Sequence, residues 1–261
     1  MHSPDFNLVA WFVTRAAAAY QSEANIRELF PNTQKVTTTS RGVQYFFELD
    51  HHNRRTIVVV RGTDNFANSL EDANFHFSKN RQLGIWVHRG FDEDAAQIYD
   101  QIIDLLPPHY PVLLTGHSLG AAVSALLMIY LQAAGFQIGH SYNFGQPKFT
   151  NKEGVQKYRS LPLTRVVDEN DLVPLVPPID LIDELHGGYE HMSPEIILLR
   201  ENFYAYLEEH DAERKSVGSF WRNLPSESVS AHFVKNYIFN IKNKLGTALQ
   251  VPFDQCRQFY N

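Results

Sequence analysis

Gly116-His117-Ser118-Leu119-Gly120 lies between a short apolar run and a helix-forming stretch, and this juxtaposition constrains the fold more than any other feature. Pro111–Thr115 is short and apolar enough for a buried strand, and Ala121–Met128 is rich in strong helix formers. A strand that turns at once into a helix forces its middle residue into a strained, outward-pointing position. Strand and helix backbones also come close together there, which glycines at 116 and 120 permit. The Ser118 hydroxyl is then offered at a helix N-terminus, where unpaired backbone N–H groups stabilise developing negative charge. The pattern predicts a serine nucleophile. A glycine-rich strand-to-helix turn without chemistry is the plainer alternative.

Nothing in the 261 residues reads as a linker, a repeat or a low-complexity stretch, so one domain over 1–261 is expected. A hydrophobic content of 44% suffices for a large core. The net charge of −6 argues against a nucleic-acid binder, which would show a basic patch. A single cysteine, Cys256, excludes an intramolecular disulfide framework. Asp5 stands where a secretory leader has basic residues, and Arg15 interrupts the apolar stretch that starts at Leu8. The expectation is therefore a cytoplasmic protein, or a secreted one seen as a trimmed mature chain. The longest apolar stretch, Ala121–Phe136, is too short to span a bilayer and predicts a buried helix.

A serine hydroxyl needs a base, and the base needs an orienting carboxylate. The strand–serine–helix turn is similar to the nucleophile elbow of α/β-hydrolases, in which the acid and then the histidine follow the serine along the chain. Downstream, Thr164–Val167 reads as a strand that runs into an acidic cluster, Asp168, Glu169 and Asp171, among which position does not choose. Of the later histidines, His210 sits in a charged helical segment, and His140 lies at the entering end of an apparent strand, Ser141–Phe144. His186 and His191 flank Gly187-Gly188. His232 precedes Phe233, Val234, Tyr237, Ile238 and Ile241, whose spacing predicts a helix burying one face. His232 ranks first as base and His191 second. Two N–H donors are needed for an oxyanion: Leu119, next to the serine, and Thr63, just past the strand-like Thr56–Val60.

Several segments in the same order resemble the class 3, or fungal-type, lipase family. Val58–Thr63 resembles its strand and oxyanion loop, and Val87-His88-Arg89-Gly90-Phe91 its V-H-x-G-F segment. Thr115–Ala122 resembles the nucleophile motif and Tyr142–Pro147 the F-G-x-P segment. Asn170-Asp171-Leu172-Val173-Pro174 resembles the acid motif, and the resemblance selects Asp171 over its two neighbours. Tyr189-Glu190-His191 with Glu195 resembles a non-catalytic segment, which demotes His191. Ala231-His232 with Tyr237 resembles the catalytic-histidine region, and the ending of Ala16–Tyr20 resembles a weaker family feature.

The resemblance implies an α/β-hydrolase fold, a mostly parallel central sheet flanked by helices, with a lid at about 64–79. Phe66, Leu70, Ala73 and Phe77 fall on one face of a helix there, although Ser69 replaces the family's frequent tryptophan. It further implies a triacylglycerol lipase working through Ser118, His232 and Asp171 and an acyl-enzyme, on a lipid or other ester met at a lipid–water interface. A feruloyl esterase or phospholipase A1 is the nearer alternative, and an inactive lipase-like binding protein the remoter one. The mechanism calls for no cofactor and no metal. His51-His52, adjacent in a strand-like region, is a poor chelate, and no zinc or phosphate-loop motif occurs. Leu198–Ser228, aromatic and charged, reads as an inserted helix over the acyl pocket or as packing decoration.

Overall fold

The valine-, isoleucine- and aromatic-rich runs pair into a mixed sheet whose middle is parallel. The structure is a computed structural model and describes residues 4–63, 76–175, 188–209 and 229–259. In chain order the helices are α1 (Phe6–Ala18), α2 (Glu23–Leu29), α3 (Arg89–Ile102), α4 (Leu119–Ala133), α5 (Lys152–Tyr158) and α6 (Val234–Lys242). The strands are β1 (Thr33–Thr38), β2 (Gln44–Asp50), β3 (Arg55–Val60), β4 (Phe77–Asn80), β5 (Ile85–His88), β6 (Val112–Gly116), β7 (Ser141–Phe144), β8 (Thr150–Asn151), β9 (Leu163–Asp168), β10 (Tyr189–Glu190), β11 (Glu195–Leu198), β12 (Phe203–Leu207) and β13 (Leu249–Gln250).

Strands β1-β2-β3-β6 form one ladder and β7-β9-β11-β12-β13 another. A parallel bridge from His117 to Phe144 sets the two side by side just beyond β6. Pairing is parallel for β3/β6, β7/β9 and β9/β11, and antiparallel for β1/β2, β2/β3 and β11/β12. The parallel centre aligns the carboxyl ends of β3, β6, β7 and β9. Loops carrying Thr63, Ser118, Gly145 and Asp171 therefore leave the sheet at one edge. A smaller sheet, β10-β8-β5-β4, is antiparallel where its ladders are described.

Alternation along the strands divides the core. In β3, Val58 and Val60 face α3 and α4, while Ile57 and Val59 face the segment containing Ala18, Ala19 and Ile26. Helix α4 is apolar around most of its circumference and is buried accordingly, from Gly120 to Leu131. Truncating a side chain such as Leu126 there should cost about 2–5 kcal/mol. Helices α1 and α6 pack on the other face, against Tyr142, Phe144, Val166 and Ile196. Asp5 starts α1 by accepting the N–H groups of Asn7 and Leu8.

Three expectations are corrected. Phe77, expected on a helical face, is not helical: it belongs to β4, where it pairs with His88 and its ring stacks 3.8 Å from that of Tyr189. Cross-strand and ring contacts override the 3.6-residue spacing. The rest of the proposed lid, residues 64–75, lies outside the described residues. The Leu198–Ser228 segment opens neither as a helix nor as decoration, because Phe203–Leu207 is a sheet strand and Tyr204 packs in the core. Residues 210–228 lie outside the described residues. His51 and His52 sit in the turn between β2 and β3 and not in a strand.

Candidate active site

Strand β6 ends at Gly116, α4 begins at Leu119, and Ser118 is held between them at φ 61° and ψ −135°. That conformation is costly for any residue with a Cβ. The surrounding glycines are sterically required. A Cβ at Gly116 would lie 2.3 Å from the Gly120 carbonyl oxygen, and one at Gly120 would lie 2.3 Å from that of Val60. Gly62 brings the loop after β3 against the turn, since its Cβ would fall 2.8 Å from Ser118 Cβ. Ser118 is 1% exposed, and its Oγ has no hydrogen-bond partner among the described residues. The same holds for Oγ1 of Thr63, next to Gly62. Leu119 opens α4, where the first-turn N–H groups have no intrahelical acceptor.

His232 closes a 3-10 turn, Val229–His232, just ahead of α6. Its Nδ1 lies 2.7 Å from Asp171 Oδ2. An ionised carboxylate only accepts, so Nδ1 carries the proton and Nε2 is the basic nitrogen. Asp171 is fixed from three further directions. Its Oδ1 accepts the Val173 N–H at 2.9 Å, its own N–H bonds the Asp168 carbonyl at 3.1 Å, and the Tyr237 hydroxyl donates to Oδ2 at 2.5 Å. Burial, then Asp171 and Asp168, push the Tyr237 phenol well above its ordinary range, so it remains a donor. Gly145, at φ 56°, lets this group assemble: a Cβ there would meet His232 Cε1, Asp171 Oδ2 and the Tyr237 hydroxyl within 3.0 Å.

The rival carboxylates and histidines go elsewhere. Asp168, the last residue of β9, accepts from Asn240 Nδ2 at 2.5 Å and from the Asn170 N–H at 3.3 Å. Burial above all pushes its carboxyl up to about 6. Glu169 is only half-buried and contributes to the field at Lys244. His191 is buried between β10 and β11, and desolvation followed by Arg165 and Lys148 drives its imidazole strongly toward the neutral form. His140 meets Thr164 Oγ1 at 3.2 Å. His186 and His210 lie outside the described residues.

Two participants were not assigned roles from the sequence: His117 and Tyr20. His117 Nε2 lies 2.7 Å from the His232 carbonyl oxygen, and its Nδ1 lies 2.8 Å from the Tyr20 hydroxyl. The imidazoles of His117 and His232 stack, with centroids 4.5 Å apart. His232 is thereby packed against the residue that precedes Ser118. The available signal was a polar ring beside the nucleophile at a position that β6 must bury.

Among the described residues no group of His, Cys, Asp and Glu could hold a metal ion. None of their helices is long and apolar enough to cross a membrane.

Residues 57–181 match the family model described as lipase (class 3). The chain is 31% identical over 176 residues to secreted mono- and diacylglycerol lipase 1 of Fusarium solani, covering 61% of this chain and 49% of that protein. It is 29% identical over 166 residues to secreted mono- and diacylglycerol lipase A of Penicillium cyclopium, covering 60% and 52%. The chain thus spans about half the length of the relatives it matches. The crystal structure of Lip2 lipase from Yarrowia lipolytica superimposes with a TM-score of 0.69 at 20% identity, over 87% of this chain and 91% of that one. At that identity the likeness shows a shared fold.

Proposed function

We propose that the chain, whose residues 57–181 match the class 3 lipase family, is a serine ester hydrolase acting on acylglycerols, with a single α/β-hydrolase domain over 1–261. The observation that carries the reading is the Asp171–His232 pair packed, through His117, against the strained turn that presents Ser118.

Ser118 Oγ attacks the ester carbonyl while His232 Nε2 takes its proton. Asp171 holds the imidazole and stabilises the imidazolium. The N–H groups of Thr63 and Leu119 bind the oxyanion. His232 returns the proton to the leaving alkoxide, and a water activated by the same nitrogen then releases the acyl group. No step calls for a cofactor. The substrate class draws support from the names of the two relatives, which specify mono- and diacylglycerols. A triacylglycerol, the substrate first expected, is proposed beside them.

The test is hydrolysis of tri-, di- and monoacylglycerols, of a feruloyl ester and a phosphatidylcholine, and of a chain-length series of p-nitrophenyl esters, below and above aggregation, by wild type and Ser118→Ala. Acylglycerol turnover that the variant loses by roughly 10⁴-fold or more is the expected result. Preference for a feruloyl ester or a phospholipid would overturn the substrate class. Absence of any Ser118-dependent activity would overturn the enzyme.

A further inference from the structure

Helix α6 carries a polar stripe on its buried side. Tyr237, Asn240 and Lys244, the last just beyond the helix end, recur at helical spacing and are all buried. Each reaches the acid loop or the end of a neighbouring strand. The Tyr237 hydroxyl accepts the Asp168 N–H at 3.2 Å and donates to Asp171 Oδ2. Asn240 Nδ2 donates to Asp168 Oδ2. Lys244 Nζ donates to the carbonyls of Leu199, Glu201 and Asn240, at 2.7, 3.0 and 3.1 Å. A second carboxylate, 5% exposed, therefore lies directly behind the one that touches His232, with a buried ammonium group nearby.

We propose that Asp168 is a positioning residue of this site: its carboxylate, fixed by Asn240 and faced by Lys244, supplies a second buried negative charge that strengthens His232 as a base. The inference rests on the serine-hydrolase reading above. In the transition state the imidazole becomes a cation, and charge behind Asp171 stabilises that cation through a medium that screens poorly. The charged groups facing Asp168 are Asp171 from its own loop and Lys244 from the end of α6, with the Tyr237 phenol held neutral between the carboxyls. Asp171 opposes ionisation of Asp168 and Lys244 favours it, while burial outweighs both. Asp168 consequently gains its charge near pH 6, and below that the additional field behind Asp171 disappears. Glu169 helps keep Lys244 protonated, although burial lowers that ammonium to about 8.

The experiment measures kcat and KM from pH 4.5 to 9 on a soluble p-nitrophenyl ester, together with the rate of labelling by a fluorophosphonate. Wild type, Asp168→Asn and Asn240→Ala are compared, with thermal melts of each. The wild-type acid limb should reflect two ionisations. In Asp168→Asn it should reflect one, with kcat on the plateau lowered about 3- to 10-fold and KM unchanged. Asn240→Ala keeps the charge and removes its donor, so one of the two midpoints should move upward while the alkaline plateau is retained. This variant decides the matter should Asp168→Asn fail to fold. Superimposable profiles, or a uniform loss of kcat with unchanged shape, would overturn the proposal and leave Asp168 a structural role. Wild type inert to the fluorophosphonate at every pH would overturn instead the reading on which it rests.

Discussion

His117 Nε2 donates to the backbone carbonyl of His232 at 2.7 Å, which ties the residue before the nucleophile to the main chain of the base. A carbonyl only accepts, so this bond fixes the proton on Nε2 and leaves Nδ1 to accept from Tyr20. Full burial, then His232, drives His117 well below the ordinary imidazole range, and it stays neutral through the working pH. Tyr20→Phe strands a buried acceptor, with an expected loss of about 1–3 kcal/mol. It should also lower kcat several-fold with little change in KM, because the ring packed on His232 loses its anchor. Urea titration and ester kinetics check both numbers, and an unchanged kcat would mean that His117 serves folding only.

Acid should unfold this protein through its buried histidines. Burial, with help from Arg41, lowers His88 from 6.5 to about 4, and His117 and His191 move in the same direction. The unfolded chain takes up these protons first. Stability is therefore intact above pH 6.5 and is lost as pH falls toward 4, by on the order of 3 kcal/mol for His88 alone. His88 caps α3 by accepting the Phe91 N–H at 3.3 Å, a task asparagine performs without a charge. His88→Asn should flatten the dependence of the urea midpoint on pH between 7 and 4.5. Parallel curves for variant and wild type would contradict the assignment.

Asp168 predicts the opposite slope. A carboxyl raised from 3.8 to about 6 favours the protonated folded form, so its ionisation removes stability as pH rises through that window, by on the order of 3 kcal/mol. Asp168→Asn has no such ionisation. Its melting temperature relative to wild type should climb between pH 4 and 7, whatever the hydrogen bonds of the new amide cost. Differential scanning calorimetry across that range reads the sign directly, and a flat difference would show that Asp168 ionises normally.

How far the sequence reached depends on whether a signal was local. The strand–turn–helix around Ser118, the strand before the acid loop and the helix after His232 are local patterns, and each forms within a residue or two of its expected place. The choice among Asp168, Glu169 and Asp171 was not local. Which carboxylate meets His232 depends on a turn closed by the Asp168 carbonyl and on a tyrosine five residues past the histidine. Phe77 failed for the same reason, since helical spacing carries no information about the Tyr189 ring on which it stacks. Tyr204 and its neighbours read as packing decoration because part of what holds β12 in place is distant in sequence: β13, through Leu249 and Gln250, and the ring of Phe6.

Ser118 stores strain that can be measured separately from catalysis. Its φ of 61° with ψ of −135° is a region that glycine enters freely and serine does not, at a cost of roughly 1–3 kcal/mol. Ser118→Gly should abolish turnover and yet stabilise the fold by about 1–2 kcal/mol, the relief being partly offset by the greater freedom of glycine in the unfolded chain. Ser118→Ala keeps the Cβ, and with it the strain, so it should lose activity without the gain. Urea unfolding of the two variants side by side isolates the backbone contribution, because both lack the hydroxyl. Equal stabilities would mean that the turn is relaxed and that the backbone geometry of the nucleophile costs the fold nothing.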